Sequence, residues 1–163
     1  ASSNMYGFPG INSSLDELKK KEFLPYSNAI AQGMDFVMVG HISVPNVTGD
    51  DTPASLSEKM ISEVLRKDLG FKGIVMTDYL NDKTIVKNYG AADAAVKAIQ
   101  AGADLLLEPD DLEAAYEGVL KAVKKGDITE DRLDESIYRI LRVKLSMQDE
   151  SSDTTESESV SDY

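Results

Sequence analysis

Three polar residues follow directly on short apolar runs of this 163-residue chain, and each could take part in catalysis or ligand binding. His41 follows the run DFVMVG, Asp78 ends GIVMTD, and Glu108 ends DLLLE. An aspartate can attack as a nucleophile, whereas histidine and glutamate can transfer protons. The carboxyl ends of parallel strands meet at one edge of a sheet, where parallel α/β folds carry their active sites. The three residues therefore predict a site at that edge.

Each of these residues also has a structural interpretation. Asp78 could cap the turn after its strand, and His41 could be a buried histidine satisfied by the backbone. Glu108 precedes Pro109 and two further acids, so we favour a role at the start of the next helix for it over catalysis. A phosphoacceptor in a receiver-like domain is another alternative for Asp78. It is weak, because that fold needs an acidic pair after its first strand and a lysine after its last.

Helical patterns alternate with the apolar runs, which predicts an α/β fold. We predict strands over 35–39, 73–77 and 104–107, whose nearly continuous apolar residues are typical of strands buried on both faces. Strands that alternate with helices form a parallel sheet with right-handed crossovers. The pattern alone allows either a doubly wound domain or part of a (β/α)8 barrel.

Capping residues predict where the helices begin. The predicted helix starts are Ser14, Pro25, Ser55 with Glu58 as a capping box, Asp110 or Asp111, and Thr129. The last helix is expected to turn its apolar residues towards the core, and these are Leu133, Ile137, Ile140, Leu141 and Val143–Leu145.

Charge and composition restrict the partners of the chain. A formal net charge of −12 without a basic run predicts no nucleic-acid partner, because phosphates require clustered Lys and Arg. No apolar run approaches the roughly 20 residues of a membrane span. Ala1–Gly10 lacks the features of a signal peptide, and the compartment, cytoplasmic or secreted, stays open. With no cysteine and one histidine, we expect no metal and no cofactor.

The end of the chain differs in composition from the rest. Residues 149–163 contain six acids and no basic residue, among Ser and Thr with a single Val. Such a segment buries too little apolar surface to offset the entropy of ordering. We predict a folded unit over 1–147 and a disordered acidic tail over 148–163. A solvated tail without a specific role is favoured over an interaction tail.

Ordered motifs over much of the chain resemble the barrel of glycoside hydrolase family 3, especially its β-N-acetylhexosaminidase branch. They are the VMVGHISVP strand, PASLS opening a helix, and LRKDLGFKGIVMTDYL. AADAAVKAIQAGADLLL and RLDESIYRIL are similar to the last strand and last helices of that family. The resemblance covers about residues 6–145. It implies the C-terminal part of a (β/α)8 TIM-type barrel, with about three parallel strands and flanking helices.

The resemblance implies roles for two residues. Asp78 matches the family's nucleophile, which implies a retaining glycosidase that forms a covalent glycosyl-enzyme intermediate. The implied substrates are terminal β-linked N-acetylhexosamine or glucose residues, so a carbohydrate is the expected partner. His41 matches a histidine on the preceding strand, which implies that it binds the substrate.

The chain also departs from the family pattern. Ser3 and Met5 stand where the hexosaminidase branch has the Asp and His of its acid/base loop, and neither can shuttle a proton at neutral pH. Tyr79 and Asp82 replace the more usual small or acidic residue and Met. The first part of the barrel, whose arginines and Lys-His pair grip the sugar, is not in this chain. The alternative is therefore a catalytically inactive α/β fragment or pseudoenzyme.

An incomplete barrel predicts one further property. A three-strand piece leaves two sheet edges with unpaired N–H and C=O groups, which closed barrels avoid. We therefore expect self-association through the exposed sheet edges.

Overall fold

The computed structural model of the chain describes residue 4 and residues 6–156. The strands are β1 (Phe36–Val39), β2 (Ile74–Tyr79) and β3 (Leu105–Leu107). The α-helices are α1 (Leu15–Lys20), α2 (Leu24–Ala31), α3 (Pro45–Thr48), α4 (Lys83–Asn88), α5 (Gly90–Ala101), α6 (Leu112–Lys125) and α7 (Glu130–Glu156). A 3₁₀ turn over Ala54–Leu56 and a π-helix over Lys59–Asp68 connect α3 to β2.

The three strands form one parallel sheet in the order β1-β2-β3. Strand β1 pairs with β2 from Phe36 opposite Ile74 to Val39 opposite Thr77. The pairing of β2 with β3 is irregular between Met76 and Tyr79. The predicted α/β fold with three parallel strands and flanking helices is confirmed. Helical crossovers make this arrangement possible, because parallel neighbours cannot be joined by a tight turn.

Most predicted helix starts are confirmed. Ser14 forms a capping box with Glu17 on α1, and Asp111 caps α6. Thr129 Oγ1 accepts a hydrogen bond from the Arg132 amide at the start of α7, at 3.2 Å. Pro25 lies in the first turn of α2.

The predicted capping box of Ser55 and Glu58 is wrong. Ser55 lies fully buried inside the 3₁₀ turn, and the following π-helix has no side-chain cap at Glu58. The turn displaces the helix start, so that the Ser57 hydroxyl, at 3.4 Å, is the group that faces the Met60 amide. The Ser55 hydroxyl therefore does not cap the helix and contacts His41 instead.

The core lies between the sheet and its helices. Val37 and Val75 point from adjacent strands into this layer, as expected for side chains in register. The helix α5 presents alanines to the core, which lets it approach closely. The core cluster comprises Phe8, Val37, Leu56, Ile61, Leu65, Phe71, Val75, Leu80, Ile85, Ala94, Ala98, Ala101 and Ala103.

The opposite face of β1 is open. Phe36 and Met38 are 41% and 49% exposed, although Val37 between them is buried. The prediction that the strands are buried on both faces is therefore wrong for β1. Alternate side chains of a strand point to opposite faces, and here only the helix-covered face is shielded.

The last helix buries only part of the predicted face, since Leu133 and Ile140 are partly buried and several other predicted residues are exposed. Ile137, Leu141 and Leu145 are 52%, 52% and 60% exposed, so their assignment to the core is wrong, while Val143 is buried. The face turned inward carries Ser136 instead, together with two arginines. A pattern that counts only apolar residues cannot detect a helix face buried through polar contacts.

A buried ionic network explains this polar face. The Asp104 side chain is 0% exposed and lies just before β3. Its Oδ2 accepts from Arg66 Nη2 at 2.6 Å and from the Val75 amide at 2.9 Å. Its Oδ1 accepts from Ser136 Oγ at 2.6 Å and from Arg139 Nη1 at 2.9 Å. The network ties the π-helix, β2 and α7 to one carboxylate.

Two predictions concern the chain termini. Helix α7 runs to Glu156 and so includes the first part of the 148–163 segment, while residues 157–163 lie outside the described part. Disorder of that segment stays a prediction. Ser3 and Met5 also lie outside the described residues. None of the helices in the described part is long and apolar enough for a membrane crossing.

Candidate active site

The three residues singled out from the sequence lie at one edge of the sheet. Asp78 is the last residue but one of β2, His41 is two residues beyond β1, and Glu108 directly follows β3. Because the strands are parallel, their carboxyl ends converge there. The Leu80 amide donates to the Leu107 carbonyl at 2.8 Å, which joins the loops that follow β2 and β3.

Asp78 is half-buried and lies on the open face of the sheet. Its neighbour Thr77 is fully buried on the helix-covered side, and its hydroxyl accepts from the Leu107 amide at 3.1 Å. The alternation of a strand therefore directs Asp78 to the opposite side. Asp78 Oδ1 accepts a hydrogen bond from the Tyr79 amide at 2.8 Å. In the described part of the chain, Oδ2 has no hydrogen-bond partner.

His41 is bonded to the protein through both ring nitrogens. Nδ1 lies 2.6 Å from Ser55 Oγ, and Nε2 lies 2.9 Å from the Tyr79 carbonyl oxygen. A sugar hydroxyl could reach a ring nitrogen only by replacing one of these contacts. The assignment of His41 as a substrate-binding residue stays a prediction. The sequence alone does not identify this role of Ser55, because its position before Glu58 predicts a helix cap.

Glu108 has an unusual backbone conformation. Its φ of 41° makes it the non-glycine residue with a left-handed backbone in the described chain. Its Oε2 lies 3.5 Å from Asn81 Nδ2. The residue that caps α6 is Asp111, whose Oδ1 accepts from the Ala114 amide at 2.9 Å. The predicted helix-start role of Glu108 is therefore wrong, because the cap lies three residues further on.

Asp82 begins the helix that follows the site. It caps α4, with its Oδ1 accepting from the Thr84 amide at 2.7 Å. Burial acts to raise the pKa of Asp82, but hydrogen bonds from Thr84 and Ile85 outweigh it, with a smaller effect of His41, so the pKa lies below its usual range. Asp82 is therefore a charged cap beside the site at neutral pH.

The segment before α1 lies against the same edge. Ser43, in the loop after β1, donates its amide to the Pro9 carbonyl at 2.8 Å, and Ile11 donates back to Ser43 at 2.9 Å. Phe8 is buried and packs on the Tyr89 ring, with centroids 6.4 Å apart. These contacts fix the chain that follows positions 3–5 beside the site.

The described residues contain no cluster of three His, Asp or Glu side chains that could hold a metal ion. The arrangement instead offers one carboxylate with an open oxygen on a fixed backbone. Such a group can act as a nucleophile or can accept hydrogen bonds from a polar ligand.

The parallel strands, helical crossovers and polar carboxyl edge define an α/β segment of the kind that carries an active site in barrel enzymes. The family model described as the glycosyl hydrolase family 3 N-terminal domain matches residues 1–143. The chain therefore belongs to glycoside hydrolase family 3.

Curated relatives bear glycosidase names. The chain is 31% identical over 143 residues to a beta-N-acetylglucosaminidase/beta-glucosidase of Cellulomonas fimi, which covers 82% of this chain and 25% of the relative. It is 31% identical over 138 residues to the beta-hexosaminidase LpqI of Mycobacterium tuberculosis, which covers 80% of this chain and 35% of the relative. The chain thus spans about a quarter to a third of their length.

Solved structures of the family share the fold. A β-N-acetylglucosaminidase of Paenibacillus sp. superposes with a TM-score of 0.81 at 39% identity, over 85% of this chain and 27% of that one. CbsA of Thermotoga neapolitana superposes with a TM-score of 0.78 at 34% identity, over 88% of this chain and 33% of that one. The described residues are part of a TIM-type barrel.

Proposed function

We propose that this chain forms part of the catalytic barrel of a retaining glycosidase that resembles β-N-acetylhexosaminidases, with Asp78 as the nucleophile. The observation that carries the proposal is the Asp78 carboxylate at the carboxyl edge, with Oδ1 bonded to the Tyr79 amide and Oδ2 open. Family membership and the glycosidase names of the relatives support a carbohydrate substrate with a terminal β-linked N-acetylhexosamine or glucose.

The chemistry would follow the retaining mechanism. Asp78 Oδ2 forms a bond to the anomeric carbon while the bond from that carbon to the leaving oxygen breaks and the leaving oxygen takes a proton. Water then attacks the same carbon, gives up a proton to a base, and releases the carboxylate. Asp78 must be ionised for the first step, because the attacking oxygen needs a free electron pair and negative charge.

The second candidate function is an α/β fragment that is inactive on its own. The sequence motivates it, because Ser3 and Met5 occupy the positions of the acid/base pair and cannot transfer protons at neutral pH. Without a proton donor, the first step loses the typical contribution of general acid catalysis, about 10²–10⁴-fold. We expect the purified chain to hydrolyse aryl β-N-acetylglucosaminides negligibly.

The purified chain and a graft test the two candidates separately. Robust turnover by the chain that Asp78→Ala abolishes would refute the inactive candidate. Azide or formate with an activated substrate is an informative addition, because an external anion can attack the glycosyl-enzyme intermediate directly and, unlike water, needs no base to remove a proton.

For the nucleophile, residues 6–145 replace their counterpart in the Paenibacillus β-N-acetylglucosaminidase, which supplies the rest of a barrel. Asp78→Asn should lower its kcat by at least about 10³-fold, since an amide cannot form the ester. The matched control is Asp110→Asn, an exposed carboxylate near the same edge. Equal turnover of the Asp78→Asn graft and its parent would reject Asp78 as the nucleophile.

A further inference from the structure

We propose that His41 is a positioning residue that, together with Ser55, orients the Asp78 carboxylate through the backbone of Tyr79. The inference rests on the proposed role of Asp78 as the nucleophile. Hydrogen bonds connect the residues in series, from Ser55 Oγ to His41 Nδ1 at 2.6 Å and from His41 Nε2 to the Tyr79 carbonyl at 2.9 Å. The Tyr79 amide then donates to Asp78 Oδ1 at 2.8 Å.

The partners of His41 determine which nitrogen carries the proton. The Tyr79 carbonyl oxygen can only accept a hydrogen bond, so Nε2 must be the donor. In the neutral ring, Nδ1 is then an acceptor and the Ser55 hydroxyl donates to it. Ser55 is fully buried, and within the described residues its hydroxyl bonds to no group but His41. The Tyr79 contact therefore selects the tautomer protonated on Nε2, and the Ser55 hydroxyl fits it as a donor to Nδ1.

Regular strand pairing does not include Asp78 itself, which gives these contacts their importance. The pairing of β1 with β2 ends at Thr77, one residue before Asp78. The pairing with β3 is irregular between Met76 and Tyr79, the span that contains Asp78. The Tyr79 carbonyl accepts from His41 and, at 3.1 Å, from the Asp82 amide. These two donors hold the carbonyl of the Tyr79–Leu80 peptide, whose Leu80 amide donates to the Leu107 carbonyl at 2.8 Å. The adjoining Asp78–Tyr79 peptide carries the N–H that donates to Asp78.

This arrangement assigns different roles to the two oxygens of Asp78. Oδ1 is occupied by the hydrogen bond from the Tyr79 amide. Oδ2 is the oxygen left to attack the anomeric carbon. Loss of the His41 contact would leave the Tyr79–Leu80 peptide held only by Asp82 and Leu107 among the described residues, so that the Tyr79 backbone would shift and the carboxylate would lose its orientation. An attacking atom displaced by about 1 Å can cost about 10²-fold in rate.

Nitrogen NMR of the ring tests the first step of the proposal on the chain itself. His41 is the only histidine of the chain, so its ring signals need no assignment. We expect the neutral ring to be protonated on Nε2. Protonation on Nδ1, or an equal mixture of the two tautomers, would contradict the hydrogen-bond series and overturn the proposal.

Two amide substitutions at His41 test the second step. In His41→Gln the side-chain amide nitrogen can occupy the position of Nε2 and donate to the Tyr79 carbonyl, whereas in His41→Asn it reaches only the Nδ1 position. Hydrogen exchange of the Tyr79 amide should be about tenfold faster in His41→Asn, the effect of one lost hydrogen bond, and nearly unchanged in His41→Gln. The internal control is the amide of Val75, which lies in the same strand as Tyr79 and donates to Asp104.

A serine pair provides variants that spare the ring. Ser55→Ala removes the donor to Nδ1 and should speed exchange of the Tyr79 amide by several-fold. Ser57→Ala is the matched control, because Ser57 is also buried in the same segment but, among the described residues, its hydroxyl bonds only the Met60 amide. Equal exchange of the Tyr79 amide in the parent chain, His41→Asn and Ser55→Ala would overturn the positioning role.

Kinetics of the Paenibacillus graft separate positioning from sugar contact. A positioning residue that acts only in the transition state lowers kcat and leaves KM unchanged, whereas loss of a sugar contact raises KM. We expect His41→Asn to lower kcat by about tenfold or more with KM unchanged, and His41→Gln to recover most of it. A raised KM with unchanged kcat would instead show a sugar contact. If Asp78→Asn kept full turnover, the proposed function would fail while the tautomer and exchange results still stood.

Discussion

Replacing Asp104 with asparagine should destabilise the chain more than any surface substitution. The side chain keeps its size, but one carboxylate oxygen becomes an amide that carries hydrogens. That amide would face either Arg66 and the Val75 amide or Ser136 and Arg139, and all of these groups are donors. Burial lowers the pKa of Arg66, and Asp104 acts against this, so the substitution removes the anion that compensates the buried cation.

The expected loss is about 3–5 kcal/mol, the cost of breaking a buried ion pair by removing one partner. Small domains are stable by roughly 5–15 kcal/mol in total, so the loss is a large fraction. In urea, with a slope of about 2 kcal/mol per molar, the midpoint should fall by about 2 M at unchanged slope. Circular dichroism during urea unfolding measures this.

Asp134→Asn is the matched control for Asp104→Asn. Asp134 is an exposed carboxylate on α7, two residues from the buried Ser136. Its replacement should change stability by no more than about 0.5 kcal/mol. A loss below about 1 kcal/mol for Asp104→Asn, the size of one ordinary hydrogen bond, would refute the account of the network.

Three further predictions use the same preparations. Gly73→Ala should lower the free energy of unfolding by about 1–3 kcal/mol, because the new Cβ would meet the Asp35 carbonyl. Gly40→Ala, with no atom within 4 Å of its new Cβ, should leave the stability nearly unchanged. The midpoints of urea unfolding measure both effects. Asp82→Ala should cost about 1 kcal/mol at pH 7. Because folding lowers the Asp82 pKa, that contribution is present above its unfolded value of 3.8 and is lost as the pH falls through the folded value. Light scattering should find species larger than 17.8 kDa, since Phe36 and Met38 are exposed on an edge strand; a sharp monomer peak would contradict this.

The sequence predicts the strands and helices of this fold well, but it predicts less well which face of each element is buried. Apolar runs and capping residues identify the three strands and most helix starts, because both signals are local. The orientation of α7 depends on Asp104, which lies far from it in sequence, and so its buried polar face could not be predicted. A partial sheet also exposes strand residues such as Met38 that the same pattern would bury in a closed barrel.

In the candidate site, too, the sequence identifies some residues but not the contacts between them. Asp78 and His41 are detectable because each follows an apolar run that ends at the carboxyl edge. The contact between them runs through the Tyr79 backbone, and a backbone carbonyl leaves no signature in the residue types. The residues around Ser55 match the pattern of a helix cap. The structure instead places Ser55 in a 3₁₀ turn, where its hydroxyl is hydrogen-bonded to His41 Nδ1.

Strand β2 connects the stability of this chain to its candidate chemistry. At its amino end, the Val75 amide is bonded to the Asp104 network, and at its carboxyl end the Tyr79 backbone is held by His41. The central strand is fixed at the end remote from the site by buried charges that need no contact with substrate. At the site, it is fixed by hydrogen bonds that leave one carboxylate oxygen exposed. A barrel strand can thus be rigid where the fold requires it and reactive where it ends, because different residues meet the two demands.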